Sequence, residues 1–185
     1  IGYPVALKIE SADIPHKTEA GAIALRLTSD DDVRDAYERV LDNARRFKPG
    51  AQISGVLVQE MVPEGRELIL GMTTDPDFGP AIAVGLGGVF VETLRDVQIG
   101  VPPLSERDAR AMLERLRGYP ILEGSGARGA APADLAAVLD ILARFSHLCH
   151  DLRADIAEID INPLVVFERG KGAKVVDCLI VPTSG

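Results

Sequence analysis

The side chains best equipped for chemistry lie towards the two ends of the chain. Near the C-terminus, Glu158-Ile159-Asp160-Ile161-Asn162-Pro163 alternates polar and apolar residues. As a strand it puts Glu158, Asp160 and Asn162 on one face and the isoleucines on the other. Two like charges side by side are unfavourable unless a cation or a donor sits among them. Pro163 is expected to end the ladder or to place it at an edge. Beyond Gly170-Lys171-Gly172, the run Lys174 to Ile180 reads as a second strand with one carboxylate, Asp177, among apolar residues. A hairpin through that turn brings Asp177 close to Asn162. Asn and Asp on neighbouring strands are the hard-oxygen set magnesium accepts when phosphates supply further ligands. A polar outer face of an antiparallel sheet fits the same spacing, and both readings stay open.

At the other end, Lys8 lies on the predicted strand Val5 to Ile9, a rigid element from which an ammonium can be aimed at phosphate oxygens. Alternation puts Val5, Leu7 and Ile9 on one face and Ala6, Lys8 and Glu10 on the other; by spacing alone a solvated outer-face lysine is the commoner outcome. His16 stands beside Lys17 in a polar loop, where an imidazole can act as a nucleophile towards phosphorus or as a general base. A lone loop histidine more often has no particular role. Gln59-Glu60-Met61-Val62 ends a strand at a bend, where backbone groups can bond an adenine edge, and Glu67 opens the next strand. Gly85-Leu86-Gly87-Gly88 could let backbone approach a phosphate. It opens no helix, so it is neither a dinucleotide fingerprint nor a Walker loop, and a tight turn explains it as well. His147, Cys149 and His150 look like a metal cluster, but on a helix Cys149 is rotated away from the other two.

The elements that must position these groups follow from periodicity. Strands are predicted over 22–27, 55–62, 67–74 and 81–84, with residues 90–100 continuing the sheet. Pro63-Glu64-Gly65 joins the second and third through a type I turn. Ser29 caps a helix with Asp30, Asp31 and Asp32 in its first turn and the stripe Val33, Ala36, Tyr37, Val40, Leu41, Ala44. Ser105 with Asp108 opens a second helix, reaching about Leu116. Residues 127–133 read as a surface loop. The longest helix is expected over 134–152, its buried stripe Leu135, Val138, Leu139, Leu142, Phe145 and Leu148.

Composition bounds the function. The chain has 185 residues and a formal net charge of -8, with no basic stripe to neutralise a phosphate backbone, which excludes nucleic acid as the main partner. A nucleotide is not excluded, because magnesium and a lysine or two can carry its charge. Cys149 and Cys178 lie far apart in the sequence, which points to a reducing, cytoplasmic compartment. No apolar run approaches bilayer length, and no membrane association is expected. The chain opens on Ile1 without an initiator methionine, and is read as a fragment of a longer protein.

Taken in order, the motifs resemble the ATP-grasp domain of the NDP-forming acyl-CoA synthetases, the ADP-forming acetate–CoA ligase family, kin to the beta subunit of succinyl-CoA synthetase. The carriers are Gly2-Tyr3-Pro4-Val5 with Lys8, then His16-Lys17-Thr18-Glu19-Ala20-Gly21, Val58 to Val62 and Glu67 to Gly71. They continue with Asp75 to Pro80, Gly85 to Glu92, Tyr119 to Gly124, Glu158 to Pro163, and Asp177. The resemblance implies an α+β fold of two lobes, about 1–60 and 61–185, with the nucleotide between them and the N-terminal part of the fold upstream of Ile1. It implies that Lys8 contacts ATP phosphates, Glu60, Met61 and Val62 form the adenine hinge, and Glu67 reaches the ribose or phosphates. Asn162 and Asp177 would hold Mg2+, and His16 would relay a phosphoryl group to ADP. Partners would be CoA-binding and ligase domains, or a subunit of the same synthetase, with homo- or hetero-oligomers open.

Two positions depart from the family. Gly100 stands where an arginine is frequent, and Ala22 replaces a frequent second glycine. They motivate the alternative, a non-catalytic, ligand-sensing synthetase-like domain fused to a protein acetyltransferase.

Overall fold

The computed structural model describes residues 1–75, 77–88, 96–125 and 131–183. The chain divides into two compact units, Ile1–Pro63 and Glu64–Gly185.

The first unit is a three-stranded antiparallel sheet under one helix. Strand β1 (Val5–Glu10) lies between β2 (Ile23–Leu27) and β3 (Gly55–Glu60). Helix α1 (Asp30–Phe47) is capped at Ser29, whose side chain accepts from the Asp32 N–H, while Thr28 donates its N–H and hydroxyl to the Asp32 carboxylate. These bonds hold the Asp32 carboxyl below its ordinary value. Val5, Leu7 and Ile9 share a buried cluster with Ala36, Val40, Leu41 and Ala44. Tyr37, expected in that stripe, is exposed, because the small residues Ala36 and Ala44 bring the helix close while the ring stays at the edge of the contact.

The second unit is a six-stranded antiparallel sheet with its helices on one side. Its strands are β4 (Arg66–Asp75), β5 (Gly79–Leu86), β6 (Val97–Gly100), β7 (Ile156–Val166), β8 (Ala173–Val175) and β9 (Cys178–Pro182). The order is β6-β5-β4-β7-β8, with β9 also paired to β7. Helices α2 (Glu106–Glu114), α3 (Tyr119–Glu123) and α4 (Leu135–Asp151) contribute Leu113, Leu122, Leu142 and Phe145 to a core shared with Leu68, Leu70, Ile82, Val84, Ile159 and Leu164. The Ser105–Asp108 capping box is complete.

Several expectations are corrected. β3 and β4 belong to different sheets, so 63–65 links the two units instead of turning between neighbouring strands. A Cβ on Gly65 would come within 2.6 Å of Val165 Cγ1, which is why the chain enters the second unit on a glycine. β7 runs through Pro163 to Val166, and its register against β4 shifts there, between the pairs Leu68↔Leu164 and Leu70↔Ile161. The proline is absorbed by an irregularity, and the strand does not end. The single strand expected over 174–180 is two, β8 and β9, broken at 176–177 beside that shift. The stripe of α4 passes through Cys149, not Leu148, since seven residues from Leu142 return to the same face. At 18 residues α1 exceeds α4, at 17. Ala133, placed in a surface loop, is buried and bridges to Glu168. Pro76, residues 126–130, and the part of the predicted strand at 90–95 with the Val89-to-Glu92 motif lie outside the described residues.

Candidate functional site

The face of the large sheet away from its helices carries the C-terminal carboxylates. Glu158, Asp160 and Asn162 are exposed while Ile159 and Ile161 are buried, as alternation requires. Thr73 and Gly71 of β4 stand opposite Glu158 and Asp160, and Val181 and Leu179 of β9 flank them on the other side. Glu158, Asp160, Thr73 and Gly71, with Ala81 and Ala83 of β5 and Ile99 of β6, line a shallow, mostly apolar depression with carboxylates at one rim.

Asn162 and Asp177 are brought together as the spacing predicted. The Asn162 N–H donates to the Asp177 carbonyl at 3.2 Å, and the Val176 N–H donates to Pro163 at 3.0 Å. The Asp177 carboxylate accepts from the Cys178 N–H at 3.1 Å. Partial burial lifts the Asp160 carboxyl above its ordinary value, with Glu158 and then Asp177 adding repulsion. One amide oxygen and neighbouring carboxylates make a hard-oxygen donor set that suits magnesium. Among the described residues no three His, Cys, Asp or Glu side chains are arranged to hold a metal by themselves, so phosphate oxygens would complete the shell.

Glu67 is exposed near the start of β4, and the glycine run packs against it. The Gly87 N–H donates to the Glu67 carbonyl at 2.6 Å, and a Cβ on Gly87 would lie 2.7 Å from Glu67 Cβ. Gly88, at φ +64°, would put a Cβ 3.4 Å from Glu67 Oε2. A Cβ on Gly85 would meet the Asp96 carbonyl at 2.8 Å. The spacing of these glycines therefore records strands packed too closely for side chains.

In the first unit Lys8 is 7 % exposed, opposite Ile23 of β2 and Leu57 of β3. Its side chain is buried, unlike the solvated lysine that spacing also allowed. At the expected adenine hinge, the Glu60 backbone pairs with Val5, and the Met61 N–H donates to the Pro4 carbonyl at 3.1 Å, so that donor is engaged. His16 is exposed in a turn that precedes β2. Asn43 of α1 donates from Nδ2 to the Gly21 carbonyl at 2.8 Å, a contact that no sequence spacing signals. Asp160, which alternation already placed on the polar face, takes its environment from both flanking strands.

The two departures have packing causes. A Cβ on Gly100 would lie 2.7 Å from Met112 Sδ and 3.1 Å from Leu104 Cδ2, on the helix side of the sheet. A long side chain at that position would enter the core. Ala22 is fully buried, and its carbonyl accepts from the Ile9 N–H at 3.1 Å.

The ATP-grasp domain family matches residues 1–181. The beta subunit of ADP-forming acetate–CoA ligase II from Pyrococcus furiosus is 46% identical over 181 residues, 98% of this chain and 76% of that protein. A solved protein from Pyrococcus horikoshii superposes with a TM-score of 0.94 at 42% identity, covering 100% of this chain and 77% of that one. The dinucleotide-forming acetyl-coenzyme A synthetase 1 of Ca. Korarchaeum cryptofilum has been solved in several states. With coenzyme A and Mg-AMPPCP, its phosphohistidine segment points towards the nucleotide binding site (TM-score 0.83, 40% identity, 99% and 78% covered). With coenzyme A and acetyl-coenzyme A, the segment is phosphorylated and in the site I orientation (TM-score 0.85, 43% identity, 99% and 77% covered).

Proposed function

The chain belongs to the ATP-grasp family, as the domain found in beta subunits of ADP-forming acyl–CoA ligases, and from that premise we propose how its residues share the transfer of a phosphoryl group to a nucleoside diphosphate. His16 receives the phosphoryl group on a ring nitrogen from an acyl phosphate made on CoA-binding and ligase domains, in the same chain or a separate subunit. It then gives the group to ADP. The P–N bond breaks, a P–O bond forms to the terminal β-phosphate oxygen, and the imidazole takes up one proton from water. Lys8, rigid on the central strand of its sheet, contacts phosphate oxygens of the nucleotide. The backbone at Glu60, Met61 and Val62 borders the adenine, and Glu67 meets the ribose or phosphates. Asn162 and Asp177 would hold Mg2+, which when bound would neutralise negative charge on the phosphates. The protein contributes position and neutralisation, since phosphoryl transfer needs little covalent help.

The observation that carries this reading is the Asn162–Asp177 pairing, with both residues at the rim of a face that already gathers Glu158 and Asp160. The two departures that motivated a non-catalytic sensor, Gly100 and Ala22, have packing causes. Among the described residues no helix is long and apolar enough to cross a membrane.

The test uses the complete synthetase. ADP binding followed by calorimetry should depend on Mg2+, and Asp177→Ala should remove that dependence with no change in thermal midpoint. Binding that ignores the substitution would sink the metal assignment. Incubation with ATP should place acid-labile phosphate on His16, and its persistence in His16→Ala would remove the relay.

A further inference from the structure

The turn that carries His16 closes on its own backbone. The Ala20 N–H donates to the His16 carbonyl at 3.3 Å, the Gly21 N–H to Thr18 at 3.0 Å, and the Ala22 N–H to Lys17 at 2.9 Å. Its two ends are anchored, with Ile14 on one side and Ala20 and Ala22 on the other buried in the core of the first unit. Upstream, the Asp13 carboxylate accepts from the Gln52 N–H at 2.8 Å and pairs with the Lys48 ammonium at 3.4 Å. His16, Thr18 and Glu19 between these anchors are exposed. A turn bonded within itself can shift about its ends without losing those bonds, so contacts from outside set where it rests.

Asn43 supplies such a contact. Its amide reaches from α1 to the Gly21 carbonyl at 2.8 Å. Gly21 has φ +60°, and a Cβ there would sit 3.0 Å from Asn43 Nδ2, so the close seat depends on glycine. With Ala22 committed to the core, Gly21 is the permissive residue at this end of the turn.

We propose that Asn43 is a positioning residue for the phosphoryl relay, its amide latching the His16 turn to α1 through the Gly21 carbonyl. The proposal rests on His16 being the relay residue. The Korarchaeum segment is recorded in more than one orientation. A tether made in one resting position shifts such an equilibrium by its differential interaction with the two states.

The decisive comparison is between Asn43→Asp and wild type in the complete synthetase. Aspartate keeps the size of asparagine, removes the amide donor and sets a negative charge against the carbonyl. The loss of one hydrogen bond should lower kcat for ATP formation about tenfold. KM for ADP should stay unchanged, and hydrogen exchange should quicken at the amides of 20–22 alone. Asn43→Gln, which retains the donor on a longer arm, should recover part of the rate. Wild-type kcat in Asn43→Asp, in an enzyme whose wild type shows phosphorylated His16, overturns the latch and leaves the relay standing. Faster exchange spread through α1 and β1, with a lowered thermal midpoint, marks a merely structural residue and also overturns it. Wild type without phosphate on His16 removes the relay and the latch together.

Discussion

Single residues in this chain take their chemistry from how far their strand encloses them. Lys8 is buried on the central strand of its sheet, at 7 % exposure, so its side chain is not a mobile surface arm. Replacing it by methionine preserves the apolar stem and deletes the ammonium. Lys8→Met should weaken nucleotide binding roughly 10- to 100-fold, the scale of one charge-assisted contact, with the thermal midpoint unchanged. Equal affinity by calorimetry would take Lys8 out of the phosphate site. The cysteines separate on the same principle. Burial pushes the Cys149 thiol up to about 11, whereas Cys178 is exposed, its thiol raised less by partial burial and by the Asp177 and Asp160 carboxylates. A limiting alkylating agent at mildly alkaline pH should label Cys178 and spare Cys149 in the folded protein. Labelling of Cys149 at a comparable rate in peptide mapping would contradict its enclosure.

At the scale of elements, packing around the β6–α2 contact and the α4–β7 corner decides what can be substituted. Gly100→Arg, which restores the residue frequent in the family, should destabilise by about 2 kcal/mol or more, since its first carbon already meets Met112. It should leave nucleotide affinity as it was. A stable variant with tighter binding would mean that this strand can present the position to solvent. Asp134 caps α4 through the Ala137 N–H at 3.2 Å and also accepts from the Gly172 N–H at 2.9 Å, fastening the β7–β8 turn to the helix. The Gly172 bond first, then those from Ala137 and Gly170, hold its carboxyl below the ordinary range. A depressed folded pKa contributes stability that is full above the unfolded value, about 3.9, and is lost as pH falls through the folded one. The thermal midpoints of wild type and Asp134→Asn should therefore differ at neutral pH and converge in acid; a constant gap would contradict the shift. Periodicity made the capped helices, the alternation of β7 and the Asn162–Asp177 meeting legible, because each depends on neighbours in sequence or across one turn. It could not show that β3 and β4 part into different sheets, since pairing partners are fixed by the whole unit. Nor could it show which way Gly100 faces, or that Asn43 reaches Gly21. Those facts need a third element, and a single stretch of sequence carries no trace of it.

Across the whole molecule the two units differ in how much core they own. The second joins large side chains from β4, β5, β7 and its helices, among them Leu68, Leu70, Ile82, Leu113, Leu142, Phe145 and Leu164. The first relies heavily on alanine, with Ala20, Ala22, Ala24, Ala36 and Ala44 in its cluster beside Leu7, Ile9 and Val40. Alanine allows α1 to approach the sheet closely but removes little apolar area from water. A unit of about sixty residues hides only about 60% of its unfolded surface, and one core of that size seldom supplies more than about 3–5 kcal/mol. Expressed separately, 64–185 should unfold in urea as one cooperative transition, whereas 1–63 should be marginal and lose its helical signal at low denaturant. The junction at 63/64 is the place to cut, since Gly65 is locked beneath Val165 and belongs to the second unit. If 1–63 proves as resistant to urea as 64–185, then Leu7, Ile9, Ile14, Val40 and Leu41 pack well enough to offset the alanines, and core size would not be what separates the two halves. If instead 1–63 is weak, the His16 turn and the Lys8 strand sit on the less stable part of the protein. Movable elements are drawn from such regions, and a relay that must shift between donor and acceptor gains from being placed there.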